Sequence, residues 1–129
     1  MQISTIGIQA QTQPSVLNPK FQVERIFAGD FEPSSMVFLG ADDVLVLDRE
    51  EGKVFRVTHG IQSGPLLDVN VATYGYRGLL GVVKSVTKNT TNVFLYFTES
   101  ATQDSSDMIQ NPIDPLGNRL YRYEWSIIP

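Results

Sequence analysis

The chain contains no cysteine, one histidine and no apolar run near the roughly eighteen residues that a membrane span requires. The lack of cysteine excludes disulfide frameworks, thiolate nucleophiles and Cys-ligated zinc or iron–sulfur sites. Among the 129 residues, ten Lys and Arg stand against fourteen Asp and Glu, which gives a formal net charge of −4. Such an acidic balance opposes binding to a phosphate backbone. We therefore expect no nucleic-acid partner and no membrane span.

What the sequence does contain is short apolar segments separated by turn residues, in a chain that is 42% hydrophobic. No segment keeps an apolar period of 3.6 residues, so little helix is expected, and several segments alternate with period two. The fold class is therefore predicted to be all-β. Residues 1–20 are polar and broken by Pro14, and we interpret them as a disordered leader or a signal-peptide remnant. The folded part is expected over residues 21–129, with strands at 22–27, 35–39, 44–48, 53–57, 65–69, 78–83, 93–98 and 119–123.

The sequence of one predicted strand pair is repeated later in the chain. Val44-Leu-Val-Leu followed by Gly52-Lys-Val-Phe-Arg-Val is similar to Val93-Phe-Leu-Tyr followed by Gly117-Asn-Arg-Leu-Tyr-Arg-Tyr. Meanders repeated about fifty residues apart are typical of propeller blades, although two hairpins also resemble each other by chance. The chain has material for about one and a half to two blades of four-stranded antiparallel sheet. Since a propeller needs at least four blades, we expect a piece of a longer protein, a chain that finds partners, or a smaller sandwich.

Several longer segments carry a family resemblance that spans residues 17–125. They are the run from Pro33 to Val57, Pro65-Leu-Leu-Asp-Val, Arg77-Gly-Leu-Leu-Gly-Val, Val93-Phe-Leu-Tyr-Phe-Thr-Glu-Ser and Gly117-Asn-Arg-Leu-Tyr-Arg-Tyr-Glu. In order and spacing they resemble the N-terminal portion of the glucose/sorbosone dehydrogenases, the soluble sugar dehydrogenases that depend on pyrroloquinoline quinone (PQQ), in their archaeal form.

The resemblance implies a six-bladed propeller that binds PQQ and calcium and oxidises a sugar, with hydride passing to the quinone. In the family, a histidine in a glycine-containing segment is the general base, and arginines and a lysine of later blades bind the cofactor carboxylates. The only histidine here, His59, falls in a turn where the family has no catalytic residue. We therefore expect scaffold and part of the cofactor channel, with no catalytic residue and no metal ligand. The alternative is a non-catalytic, propeller-like binding or interaction module.

Two residues are candidates for cofactor binding, Tyr76 and Arg77. The family has Gln or Glu at the position of Tyr76, pointing toward cofactor and substrate. A phenol donates a hydrogen bond but is bulkier and not ionised at neutral pH. Arg77 suits an anionic cofactor, or alternatively pairs with an acidic neighbour.

The remaining polar features are interpreted as surface structure. The carboxylate pairs Asp42-Asp43 and Glu50-Glu51 lie in predicted turns, where solvated charge explains them. The sequence Asn89-Thr-Thr fits a glycosylation acceptor, which favours an extracellular or cell-envelope location. Beyond a sugar substrate, the expected partner is another copy, bound through unpaired strand edges such as 119–125.

Overall fold

The computed structural model describes residues 14–102 and 115–126, which form seven β-strands and no helix. All neighbouring strands are antiparallel and form two meanders, a four-stranded sheet 1 and a three-stranded sheet 2. The all-β prediction is thus confirmed. No described segment is a helix of the length and apolarity needed to cross a membrane. Sheet 1 consists of β1 (Pro33–Gly40), β2 (Asp43–Asp48), β3 (Lys53–Thr58) and β4 (Ile61–Asp68), and sheet 2 of β5 (Leu79–Thr87), β6 (Thr90–Glu99) and β7 (Gly117–Ser126).

Tight turns explain why several strands are longer than predicted. Thr58 pairs with Ile61 across a two-residue turn in which His59 and Gly60 have φ of 49° and 77°. Positive φ at both central positions matches the right-handed twist of hairpin strands. Strand β4 therefore begins at Ile61, in a stretch that the sequence assigned to a loop.

The predicted strand at 22–27 is wrong. Residues 21–29 form no strand, and Phe27 instead packs on Phe31, whose ring contacts sheet 1. The ring of Phe31 lies 6.0 Å from Phe27 and 5.5 Å from Phe55 of β3. Contacts between aromatic rings, and not backbone hydrogen bonds to a strand, hold this segment. It therefore lies on the face of sheet 1 and not along its edge.

The core lies between the two sheets. On β2 and β3, Leu45, Leu47 and Val54 face sheet 2, while Val93 and Leu95 of β6 face sheet 1, and all five are buried. Strand β5 packs against β1 and β2, so the sheets approach most closely at their first strands. We call the side of a sheet that carries the residues equivalent to Leu45 its front face, and the opposite side its back face.

The sequence repeat falls on equivalent strands, since β2 and β3 are the second and third strands of sheet 1 as β6 and β7 are of sheet 2. It aligns Leu45 with Phe94 and Val44 with Val93. Leu45 faces sheet 2, whereas Phe94 alternates with the buried Val93 and Leu95 and so faces away from sheet 1. The front face of sheet 1 therefore packs on the back face of sheet 2, and both sheets have the same orientation in the stack.

Candidate functional site

The connection between the sheets, residues 69–78, is fixed at both ends. The amide of Val69 donates to Gly52 O at 2.8 Å, and the amide of Ala72 donates to Thr98 O at 2.8 Å. At the far end, the amide of Leu79 donates to Arg49 O at 3.0 Å. Only the middle of the connection projects into solvent, and it leads directly into β5, the first strand of sheet 2. The loop thus lies at one end of the stack, beside the closely packed first strands.

The two candidate residues sit differently in this loop. The side chain of Tyr76 is 98% exposed. Arg77 is half-buried, and its backbone carbonyl accepts a hydrogen bond from Arg49 Nη1 at 2.8 Å. Gly75 precedes them with φ of 72°, and no other atom lies within 4 Å of the position that a Cβ would occupy. The sequence order Tyr76-Arg77 therefore places a free phenol beside an arginine that is held against sheet 1.

An arginine that sequence reasoning did not single out organises this end. Arg49, in the β2–β3 turn, contacts Glu32 Oε2 through Nη2 at 2.7 Å and Nε at 3.2 Å, and Glu50 Oε1 at 2.9 Å. The hydrogen bonds that Arg49 donates to the Glu32 carboxylate raise the pKa of Arg49 above its usual value. Together with its bond to Arg77 O, this residue joins the start of β1, a turn of sheet 1 and the start of β5. This role is visible only from contacts in the folded structure, because the local sequence is typical of an ordinary polar turn.

One buried group at the base of the loop lacks a partner. The residue Thr73 is 5% exposed, and its hydroxyl makes no hydrogen bond among the described residues. An unsatisfied buried hydroxyl is costly, so it is a sign of a missing polar partner. The neighbouring Tyr74 is half exposed and Tyr76 fully so. The loop therefore offers an orphan hydroxyl, two phenols and the guanidinium of Arg77 on one short segment.

This donor set is small for a cofactor with several carboxylates such as PQQ. A polycarboxylate cofactor needs several cations, and the loop contributes Arg77 alone. Calcium needs six to eight oxygen ligands, and the residues described contain no group of three or more His, Cys, Asp or Glu side chains arranged for a metal. The described residues therefore supply one cation and no grouped metal ligands for such a cofactor. No reaction step is assigned to it.

The opposite end of the stack holds a second cluster. Arg56 of β3 binds Asp43 through two bonds, Nε to Oδ1 at 2.8 Å and Nη2 to Oδ2 at 2.6 Å, and Thr58 Oγ1 donates to Asp43 Oδ1 at 3.1 Å. These bonds lower the pKa of Asp43, chiefly through Arg56. The guanidinium lies 5.2 Å from the ring centre of Trp125 in sheet 2, a cation–π distance. The expectation that Asp43 is a solvated turn carboxylate is corrected here, since it opens β2 and forms a two-point ion pair.

Between β4 and β7 the sheets diverge and leave a cavity of about 290 Å³. Its walls are mostly apolar, and burial raises the pKa of the Tyr123 phenol on one of them. The lining residues include Leu45, Val54, Leu66, Leu67, Tyr123 and Trp125. The stack is therefore wedge-shaped, narrow at β1 and β5 and wide at β4 and β7.

A third polar group lies where β6 meets β7. Tyr121 Oη donates to both oxygens of Glu99 at 3.0 and 3.1 Å, and Arg119 Nε contacts Glu99 Oε2 at 3.2 Å. The carboxylate of Glu99 raises the pKa of Tyr121 because it stabilises the protonated phenol. The ring of Tyr121 stacks on the buried Phe97 at 5.4 Å. These aromatic and charged residues serve strand packing in the structure.

The remaining sequence interpretations have clear outcomes. His59 lies in an exposed turn, 3.7 Å from Asp42 Oδ2, as expected. Glu51 pairs with Lys53 at 2.6 Å on the surface, which agrees with the expected solvated charge in a turn.

No protein-family model, curated protein or solved structure matches the chain.

Proposed function

We propose that the chain forms two blades of a propeller similar to the PQQ-dependent glucose/sorbosone dehydrogenases, and that it supplies scaffold and one wall of the cofactor channel. The observation that carries the proposal is the front-to-back stack of two meander sheets in one orientation. A two-sheet sandwich related by a two-fold axis would bury equivalent faces against each other. Successive blades of a propeller instead repeat the same face-to-back contact.

The position of the loop supports the assignment of the channel wall. In the proposed propeller, β1 and β5 are the innermost strands, and residues 69–78 lie at the end of β5. Arg77 and the orphan hydroxyl of Thr73 would bind an anionic ligand there, with Tyr76 presenting a phenol toward it. When bound, PQQ accepts the hydride of the sugar. The described residues bind and orient, and we assign them no catalytic base. An extracellular or cell-envelope location belongs to the proposal, supported by Asn89 in the exposed β5–β6 turn.

A PQQ titration of the purified chain in the presence of calcium, followed by calorimetry, tests the proposal. Arg77→Met should weaken binding about tenfold or more, since a charge-assisted hydrogen bond contributes about 1.5–3 kcal/mol. Lys20→Met, which removes an exposed cation from outside the sheets, should leave the affinity unchanged. Equal affinity in the Arg77→Met and native chains would contradict the assignment. Sugar-dependent reduction of a dye by this chain would contradict the lack of a catalytic base.

The second candidate is a non-catalytic interaction module. It is favoured by the full exposure of Tyr76 and by the apolar faces left open on both outer sides of the stack. If PQQ does not bind while the chain associates with protein through these faces, this candidate is the better one.

A further inference from the structure

The segment before β1 lies over the back face of sheet 1. We call residues 26–31 the strap. Val44 alternates with Leu45 along β2 and pairs with Val57 of β3, so both valines point to the back face. They are 8% and 1% exposed, and together with the strap they line one cavity. The strap therefore buries part of a face that the two sheets leave open.

Aromatic contacts hold the strap in place. The ring of Phe31 lies 5.5 Å from that of Phe55 of β3, and the ring of Phe27 packs on Phe31 at 6.0 Å. The backbone of the strap makes no hydrogen bond to the backbone of any other residue that the structure describes. The first backbone bond after the strap runs from the Arg49 amide to Glu32 O at 2.8 Å. The strap is thus held by side chains and is fixed at one end by Glu32.

The packing under the strap is loose. A cavity of about 660 Å³ lies between the strap and the strands β1, β2 and β3. Met36 and Phe38 of β1, which line this cavity, are 60% and 53% exposed, and Ile26 of the strap is 59% exposed. Dispersion contacts are lost wherever a gap separates two surfaces. The strap consequently gains little from closing, although it shields the two valines.

The two rings of the strap close around Gly29. A Cβ at this residue would lie 2.7 Å from Phe27 Cζ and still closer to the Phe31 ring. A side chain fits there only if the rings move. The closed strap therefore depends on this glycine, and a substitution of Gly29 perturbs the strap without touching either sheet.

The internal repeat gives the strap its place in the stack. The back face of sheet 2 is covered by sheet 1, and its Val82, Val93 and Leu95 are buried there. The equivalent back face of sheet 1 is covered by the strap. A single short segment thus stands where a four-stranded sheet stands one step along the stack. Of the two covers, the strap is the thinner and the more weakly held.

We propose that the strap is an end cap that opens and closes while both sheets stay folded, so that it controls access to the back face of sheet 1. Segments open locally where buried apolar contacts are few and backbone hydrogen bonds to the rest of the fold are lacking. The strap meets both conditions, whereas the sheets have hydrogen-bonded ladders and a shared core. In the open state Val44 and Val57 face solvent, and in the closed state they are withheld from other molecules. The proposal does not depend on the proposed function.

Cysteine labelling tests the strap directly, because the native chain contains no cysteine. Val44→Cys places a thiol under the strap, and Val82→Cys is a matched control between the sheets, since the two valines are 8% and 7% exposed. With a maleimide under native conditions, we expect the Val44→Cys chain to react at least about tenfold faster. Its rate should change little in low urea, because opening the strap exposes little surface, whereas the Val82→Cys rate should rise steeply with urea.

Two substitutions separate opening of the strap from unfolding of the sheets. Phe31→Ala removes ring contacts that exist only in the closed strap and should raise the Val44→Cys rate about tenfold, the factor that corresponds to about 1.4 kcal/mol. Val93→Ala weakens the core between the sheets, which the open state retains, so it should raise the Val82→Cys rate and leave the Val44→Cys rate unchanged. Phe21→Ala, which truncates a 67% exposed ring outside the strap, is the control for Phe31→Ala and should change neither rate.

Circular dichroism and a thermal melt check that each variant folds, and Val57→Cys with Val71→Cys, at positions 1% and 0% exposed, is a second pair of thiols. Gly29→Ala, which crowds both rings, should act in the same direction as Phe31→Ala. Equal labelling rates within a pair, an equally steep urea dependence of both rates, or a Val44→Cys rate that Phe31→Ala leaves unchanged would overturn the proposal. Because no cofactor is added, the PQQ titration judges the proposed function separately.

Discussion

Truncation of two leucines to alanine should have very different costs in the isolated chain. Leu47 is fully buried between the sheets, whereas Leu120 is 66% exposed on the front face of sheet 2. Buried Leu→Ala changes cost about 3 kcal/mol, from lost transfer free energy and the cavity left behind. An exposed truncation costs about 0.5 kcal/mol or less. Since a domain is stable by about 5–15 kcal/mol, Leu47→Ala should remove a large share of that stability.

The measurement is urea unfolding of each purified variant beside the native chain. Leu47→Ala should lower the midpoint strongly without changing the slope, and Leu120→Ala should leave both nearly unchanged. Equal destabilisation of the two variants, or a cost below about 1 kcal/mol for Leu47→Ala, would refute the assignment of the front-to-back core.

Three further changes probe the polar clusters, and a fourth, Lys53→Met, is a control. Arg49→Met should destabilise the chain by about 1–2 kcal/mol in urea unfolding, because it frees a carbonyl and two carboxylates, while Lys53→Met, which breaks a surface pair, should change it by less than about 1 kcal/mol. The pKa of Asp43 is lowered in the folded chain, so its ion pair stabilises the fold fully above about pH 5, and that stability is lost as the pH falls below about 4. In the Asp43→Asn variant, the urea midpoint should therefore fall less steeply with decreasing pH than in the native chain. Glu99→Gln should lower the pKa of Tyr121, seen as phenolate absorbance at a lower pH than in the native chain.

The strand meander could be predicted because its signal is local. Period-two alternation located β2 and β3 to within a residue, and the repeat located their equivalents in sheet 2. Strand register and turn geometry are harder to predict from the sequence. A His-Gly pair is a weak turn signal, so the early start of β4 at Ile61 was missed. Residues 22–27 alternate like a strand but have no neighbouring strand to pair with. The alternation by itself does not show whether such a neighbour exists.

The site could be predicted only as a segment. The resemblance pointed to Tyr76 and Arg77, and both lie on the loop between the sheets. The roles of Arg49 and Thr73 depend on contacts between residues far apart in sequence, such as the bond from Arg49 to Arg77 O. Nothing in Arg49-Glu-Glu-Gly distinguishes an organising arginine from a solvated one.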